Sequence, residues 1–220
     1  MMISEPRTCR EAFTSRTPAT TRHLEGYHLE KIWDPVTRVW HWALAASVIS
    51  GWVLGEYRTF STMQWHIYCG YVTAGLILFR YLWGAVGPHP ARFKALLPSP
   101  ASAYAYAKTL FSRTPSGTPG HNPLGALSVL AILLTLTAQV CTGLFAEDDG
   151  LFFEGPFAPL VTSKTVLKMT SLHNLFAKAV LALVALHVSA IGFYLLYKRE
   201  NLVSPMISGW KVVRNKTETD

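Results

Sequence analysis

The chain has 220 residues, half of them hydrophobic and only 15% charged, with a formal net charge of +7. Soluble domains carry about 25% charged residues, so this deficit argues against a soluble domain and for lipid as the surrounding solvent. Nucleic acid is not the partner the positive balance implies. Sixteen of the twenty Lys and Arg fall in three blocks, 1–38, 80–113 and 198–220, and spare the segments between.

Residues 1–31 are rich in Arg, Ser and Thr and lack the apolar core of a secretory signal. They are predicted to be a disordered, polar cytoplasmic tail, with a transit peptide as the alternative. Uncharged runs then follow at 39–55, 59–79, 115–146 and 179–197. Roughly 20 apolar residues span a bilayer, so four transmembrane helices are predicted, over about 35–57, 64–84, 122–146 and 170–197. Asp34-Pro35 and Asn122-Pro123 read as an N-cap followed by proline at the first helical position. The cytoplasmic loop between helices two and three holds Pro88, Pro90, Pro98 and Pro100, and its segment 101–111 reads as a short interfacial helix.

With four spans, the three basic blocks fall on one side, which the positive-inside rule makes cytoplasmic. Both termini are therefore predicted inside, and the loop with Glu147, Asp148, Asp149 and Glu154 outside. The predicted fold class is an all-α membrane protein, a four-helix transmembrane bundle in a bacterial inner membrane. Its single domain covers 32–212, and 213–220 form a second polar tail.

Four histidines, His41, His66, His173 and His187, sit in or at the rims of the apolar runs. An ionisable ring in hydrocarbon is costly and needs a partner or a job. His173 and His187 are 14 residues apart. On a helix that is within about 40° of four full turns and a rise of about 21 Å, one face but two depths. His41 shares the inner level with His187, and His66 the outer level with His173. Two bis-imidazole sites for haem follow, a ligation that favours electron transfer over oxygen binding. The cysteines are Cys9, Cys69 and Cys141, and no C-x-x-C-H is present, so the haem would be non-covalent and b-type.

Gly70 lies one turn beyond His66, where a porphyrin needs clearance, although small residues also serve close helix packing. Arg38 and Arg80 lie at the inner level and suit haem propionates; the plain alternative is that both are positive-inside anchors. Lys178 points off the histidine face and reads as a snorkelling side chain, with a quinone contact as the alternative. His121, at the inner rim before helix three, and His89, in the proline-rich loop, are weaker ligand candidates. His23 and His28 lie in the tail and carry no signal.

Taken together, Trp33-Asp34-x-x-x-Arg38-x-x-His41-Trp42, His66-x-x-x-Gly70, Arg80, Trp83-Gly84, Gly120-His121-Asn122-Pro123, His173, His187, Asn201-Leu202 and Met206-x-x-Gly209 resemble the prokaryotic cytochrome b561 family. The likeness covers about residues 30–212. The family includes the b-type cytochrome subunits of nickel–iron hydrogenases. The resemblance implies a four-helix bundle with two b haems on His41, His66, His173 and His187, exchanging electrons between quinone and a redox partner. That partner would be a periplasmic cytochrome c or a hydrogenase-type subunit. A homodimer is compatible with this reading.

A superoxide:quinone oxidoreductase acting alone is the alternative function. It would need a cationic approach to the outer haem, which Lys164 and Lys168 could supply and Asp148-Asp149 oppose. A histidine proton relay in a transporter or scaffold is a third class, and it would bind no chromophore.

Overall fold

The computed structural model describes residues 27–214 apart from 114 and 119. The tail up to residue 26, with Cys9 and His23, and the last six residues lie outside the described residues.

A strand, β1 (Tyr27–Lys31), precedes the first long helix, α1 (Pro35–Glu56), and α2 (Phe60–Val86) follows after a three-residue turn. Two short helices, α3 (Phe93–Leu96) and α4 (Pro100–Lys108), cross the loop to α5 (Pro123–Gly143). A small hairpin of β2 (Glu147–Asp148) and β3 (Phe153–Glu154) leads to α6 (Ser163–Leu196), and α7 (Val203–Ser208) and β4 (Trp210–Arg214) close the described chain. Among the described residues, α2, α5 and α6 are long and apolar enough to cross a membrane. Helix α1, with 22 residues, carries Arg38, His41 and Glu56 and is less apolar.

Caps, more than apolarity, set the helix ends. Asp34 accepts from Thr37 N at 2.9 Å and Pro35 occupies the first turn, as the sequence predicts. Asn122 accepts from Gly125 N at 2.8 Å in the same role for α5. The other two starts lie earlier than the apolar pattern suggests. Thr59 and Thr62 form a reciprocal capping box that starts α2 at Phe60 rather than at residue 64. Thr162 accepts from Thr165 N at 3.3 Å and starts α6 at Ser163 rather than at 170. Helix α6 therefore has 34 residues, about 51 Å of rise against a hydrocarbon thickness of about 30 Å. Its first turns project past the end of α5, where Thr170 Oγ1 accepts from Glu147 N at 3.0 Å.

The four long helices meet in a core of Leu44, Ile77, Leu133, Leu136 and Val180. Helix α1 packs along α2, and α5 along α6, while α2 touches α5. Contact of α6 with α1 and α2 is sparse. The bundle is thus built as two packed hairpins, α1 with α2 and α5 with α6.

Two strand pairs are absent from the sequence-based expectation. Strands β1 and β4 pair antiparallel, Tyr27 opposite Arg214 and Lys31 opposite Trp210. The pair buries Ile32, Trp33 and Val213 under the first turn of α1. Trp33 is thus a core residue at 6% exposure. The pairing places the two described chain ends together, at the end of the bundle that holds the start of α1 and the finish of α6. Gly209 makes the return possible: at φ +88° it is left-handed, and its carbonyl accepts from Ile32 N and Trp33 N at 2.9 and 3.2 Å.

Candidate functional site

At the end of the bundle distant from the strand pair, His66 of α2 and His173 of α6 face each other with ring centroids 6.0 Å apart and planes at 90°. Each ring is held by a neighbouring helix. His66 Nδ1 lies 2.8 Å from Gly51 O of α1, and His173 Nδ1 lies 3.0 Å from Gln139 O of α5. A carbonyl only accepts, so both rings carry the proton on Nδ1 and leave Nε2 as an acceptor, on His173 with the Gln139 amide 3.2 Å away. That is the tautomer a metal-ligating imidazole needs, fixed by the second-nitrogen bond that such ligands make.

Glycines give these rings their room. A Cβ at Gly55 would lie 2.9 Å from His66 Nδ1, and one at Gly143 would lie 2.8 Å from His173 Cε1. Gly70, the predicted clearance residue, has nothing within 4 Å of its Cβ direction and faces open space.

His41 and His187 belong to the other end. His41 Nδ1 is buried and has no hydrogen-bond partner among the described residues. Its ring meets Trp42 edge-on at 5.1 Å. His121 joins this end, stacking edge-on against Trp33 at 4.8 Å. Burial first, then the positive ends of Lys211 and Arg80 and the rings of His187 and His41, push the His121 imidazole down to about pH 4 in pKa.

Arg80 is 5% exposed and lies over the rings of Trp40 and Phe93 at 5.6 and 5.1 Å. Its Nη1 is buried without a partner, as is Arg38 Nε. Arg38 is partly committed, because its Nη1 donates to Ile207 O of α7. It is therefore more than a membrane-edge anchor. A buried pair, Lys211 and Glu200 at 3.2 Å, closes this end. Buried cationic donors left unpaired, next to two histidines, make a site that favours an anionic ligand group.

The sequence-predicted residues thus gather as two groups: His66, His173 and Gly70 at one level, and His41, His187, Arg38 and Arg80 at the other. Gln139, Gly55 and Gly143 were not anticipated. Gln139 had a signal, a carboxamide in the middle of an apolar run; the glycines had none apart from their helical phase. Lys178 is exposed on α6, His89 opens a turn outside the bundle, and Cys69 and Cys141 are free thiols.

Residues 32–209 match the prokaryotic cytochrome b561 family. The chain belongs to that family. Curated relatives described as "Probable Ni/Fe-hydrogenase B-type cytochrome subunit" include one from Azotobacter vinelandii, 26% identical, with 84% of this chain and 89% of the relative covered. Another, from Azotobacter chroococcum mcd 1, has the same identity and coverage, and one from Bradyrhizobium diazoefficiens is 25% identical with 84% and 86% covered. No solved structure matches the chain significantly. Membership makes this a membrane cytochrome b with an electron-transfer role, and b-type haem is the cofactor the family implies.

The residues present fit that group. Two metal–imidazole bonds of about 2.1 Å, with the two ring halves beyond them, need about the 6.0 Å that separates His66 and His173. The acceptor Nε2 atoms of the two rings and the orphaned arginine donors agree with it.

Proposed function

We propose that this cytochrome carries electrons across the membrane on two non-covalent b haems, one at each level of a four-span bundle, between the quinone pool and a redox partner. The facing pair of His66 and His173, each with Nδ1 on a main-chain carbonyl, is the observation that carries this reading. Bound haem supplies a one-electron iron couple, and bis-histidine ligation leaves no open iron position for oxygen. His66 and His173 hold the outer haem, His41 and His187 the inner one. Helix α6 sets their separation, because its two histidines stand about 21 Å apart along one stripe. Arg38 and Arg80 meet the inner propionates with their unpaired N–H groups. Gly70 keeps the porphyrin path open.

In this reading both ends of the chain lie on the cytoplasmic side of an inner membrane, which the basic blocks and the pairing of β1 with β4 support. The hairpin acids and the projecting start of α6 then face outward, toward a hydrogenase-type subunit, as the relatives' descriptions suggest, or a cytochrome c. Acting alone on superoxide is the weaker reading: Arg58 is engaged by Asp148 at 3.4 Å, and Glu147, Asp149 and Glu154 repel an anion. Purified protein should show a low-spin b spectrum and two protohaems per chain by pyridine extraction. A single haem, or none, rejects the proposal.

Removing one positive charge beside the inner iron favours its ferric, more positive state. Arg80→Gln should therefore lower the inner midpoint potential and leave the outer one in place, read by spectroscopic redox titration of the two components. In haem-free protein, His121 binds a proton in the unfolded chain from about pH 6.5 but in the folded chain only near pH 4. Stability then rises with pH across that window. His121→Gln should flatten the acid limb of a thermal-melting profile between those values.

A further inference from the structure

The proposed outer haem site contains a side chain that occupies a position the iron must take. Gln139 reaches His173 twice. Its main-chain oxygen accepts from Nδ1 at 3.0 Å, and its side-chain Nε2 lies 3.2 Å from the imidazole Nε2. With the ring proton on Nδ1, the imidazole Nε2 is a pure acceptor, so the amide N–H donates to the lone pair that would bind iron. The opposite amide orientation would set two acceptors against each other. The orientation is thus settled by the network, and it leaves Gln139 Oε1 buried with no partner. No second feature explains a carboxamide here: the residues one turn to either side, Thr135 and Gly143, are a back-bonded threonine and the glycine under the His173 ring.

We propose that the Gln139 side chain is a placeholder and positioning residue of the outer site. In protein without haem it caps the ligating nitrogen of His173 and holds the ring toward His66. It must swing away before that nitrogen can bind. The exchange is balanced within the imidazole: the N–H···Nε2 bond breaks, the freed Nε2 lone pair would be shared with the iron in a dative bond, and the ring changes neither protonation nor oxidation state, because Nδ1–H stays on Gln139 O. The inner site has no equivalent. His41 Nδ1 is unpartnered, and no carboxamide is bonded to either inner histidine among the described residues. The two sites should therefore load at different rates, the inner one first.

This inference rests on His173 being an outer haem ligand, and the two can fail separately. Haem-free protein in detergent is mixed with hemin and loading is followed at the Soret band, for the wild type, Gln139→Met and Gln139→Glu. Methionine fills the same space without an N–H. Glutamate reaches the same point but is an acceptor, so it cannot cap a lone pair. Both variants should load the outer site several-fold faster than the wild type, with inner loading unchanged, and Gln139→Glu should also lower the outer midpoint potential in loaded protein. Unchanged inner loading reports that the bundle is folded. Wild-type loading rates in both variants overturn the placeholder role. If His173→Ala retains both haems, the assignment of the outer site falls instead, and this inference with it.

Discussion

His173→Ala is expected to halve the haem content of the purified protein, from two protohaems per chain to one, with the surviving signal that of the inner haem. His187→Ala should also leave one haem per chain, but the outer one. The expectation follows from geometry. His173 faces His66 at 6.0 Å at one end of the bundle, whereas His187 acts with His41 at the other, about 21 Å away along α6. Sites separated by more than about 10 Å with no shared partner respond nearly independently. Alanine is the best helix former, so α6 itself should persist. The remaining His66 would offer only one axial bond, too little to retain a non-covalent haem through purification. Pyridine haemochrome analysis gives the stoichiometry, and low-temperature spectra of the reduced protein distinguish the two components. Loss of both haems in each variant, with helicity and elution volume intact, would show a single coupled site and end the two-level reading.

The placement of the four histidines was legible because a polar ring in an apolar run is conspicuous and helical phase is simple arithmetic. His173 and His187 had to share a face, and their mates followed from depth. The starts of α1 and α5 were legible too, since Asp34-Pro35 and Asn122-Pro123 stand at the edge of apolar sequence. The starts of α2 and α6 were not. Thr59 and Thr162 cap turns that lie outside the apolar pattern, so a reading based on apolarity stops short of them. The strand pair was hidden for another reason. Tyr27–Lys31 and Trp210–Arg214 are five-residue segments at opposite ends of the described chain, and neither alternates strongly enough to announce a strand alone. The supports of the ligands were the least visible part. Gly51 and Gln139 act on His66 and His173 through main-chain carbonyls, which every residue type possesses. Only the Gln139 side chain could have drawn notice. Arg38 shows the limit from the other side: its type suggested an anion site or a membrane anchor, while the fold sends one of its nitrogens to Ile207 O.

The strongest single loss of stability should come from Lys211→Met. Lys211 and Glu200 are 7% and 9% exposed and lie 3.2 Å apart. Each also has neutral partners. Glu200 accepts from Ser116 N and Oγ, both at 2.8 Å, and Lys211 donates to Thr118 O at 3.0 Å and Gly120 O at 3.3 Å. The pair thus ties β4 and the segment after α6 to the loop that leads into His121 and α5. Methionine keeps most of the apolar stem but removes the ion-pair partner of the buried Glu200 carboxylate, leaving Lys198, whose charge also acts on Glu200, as a positive neighbour. Breaking such a pair from one side costs about 3–5 kcal/mol, on the order of 10 °C in melting temperature for a chain of this size. Removing both charges, Lys211→Met with Glu200→Gln, should recover much of the loss, because the carboxylate is no longer buried without its ion-pair partner. The inner haem should dissociate first on heating the single variant, since the loosened loop carries His121 against Trp33 beside the inner histidines. Differential scanning fluorimetry with parallel haem absorbance measures both effects. A single variant that melts with the wild type, or a double variant no better than the single, would mean that the β1–β4 pairing and the Trp33 core hold this end without help from the buried charges.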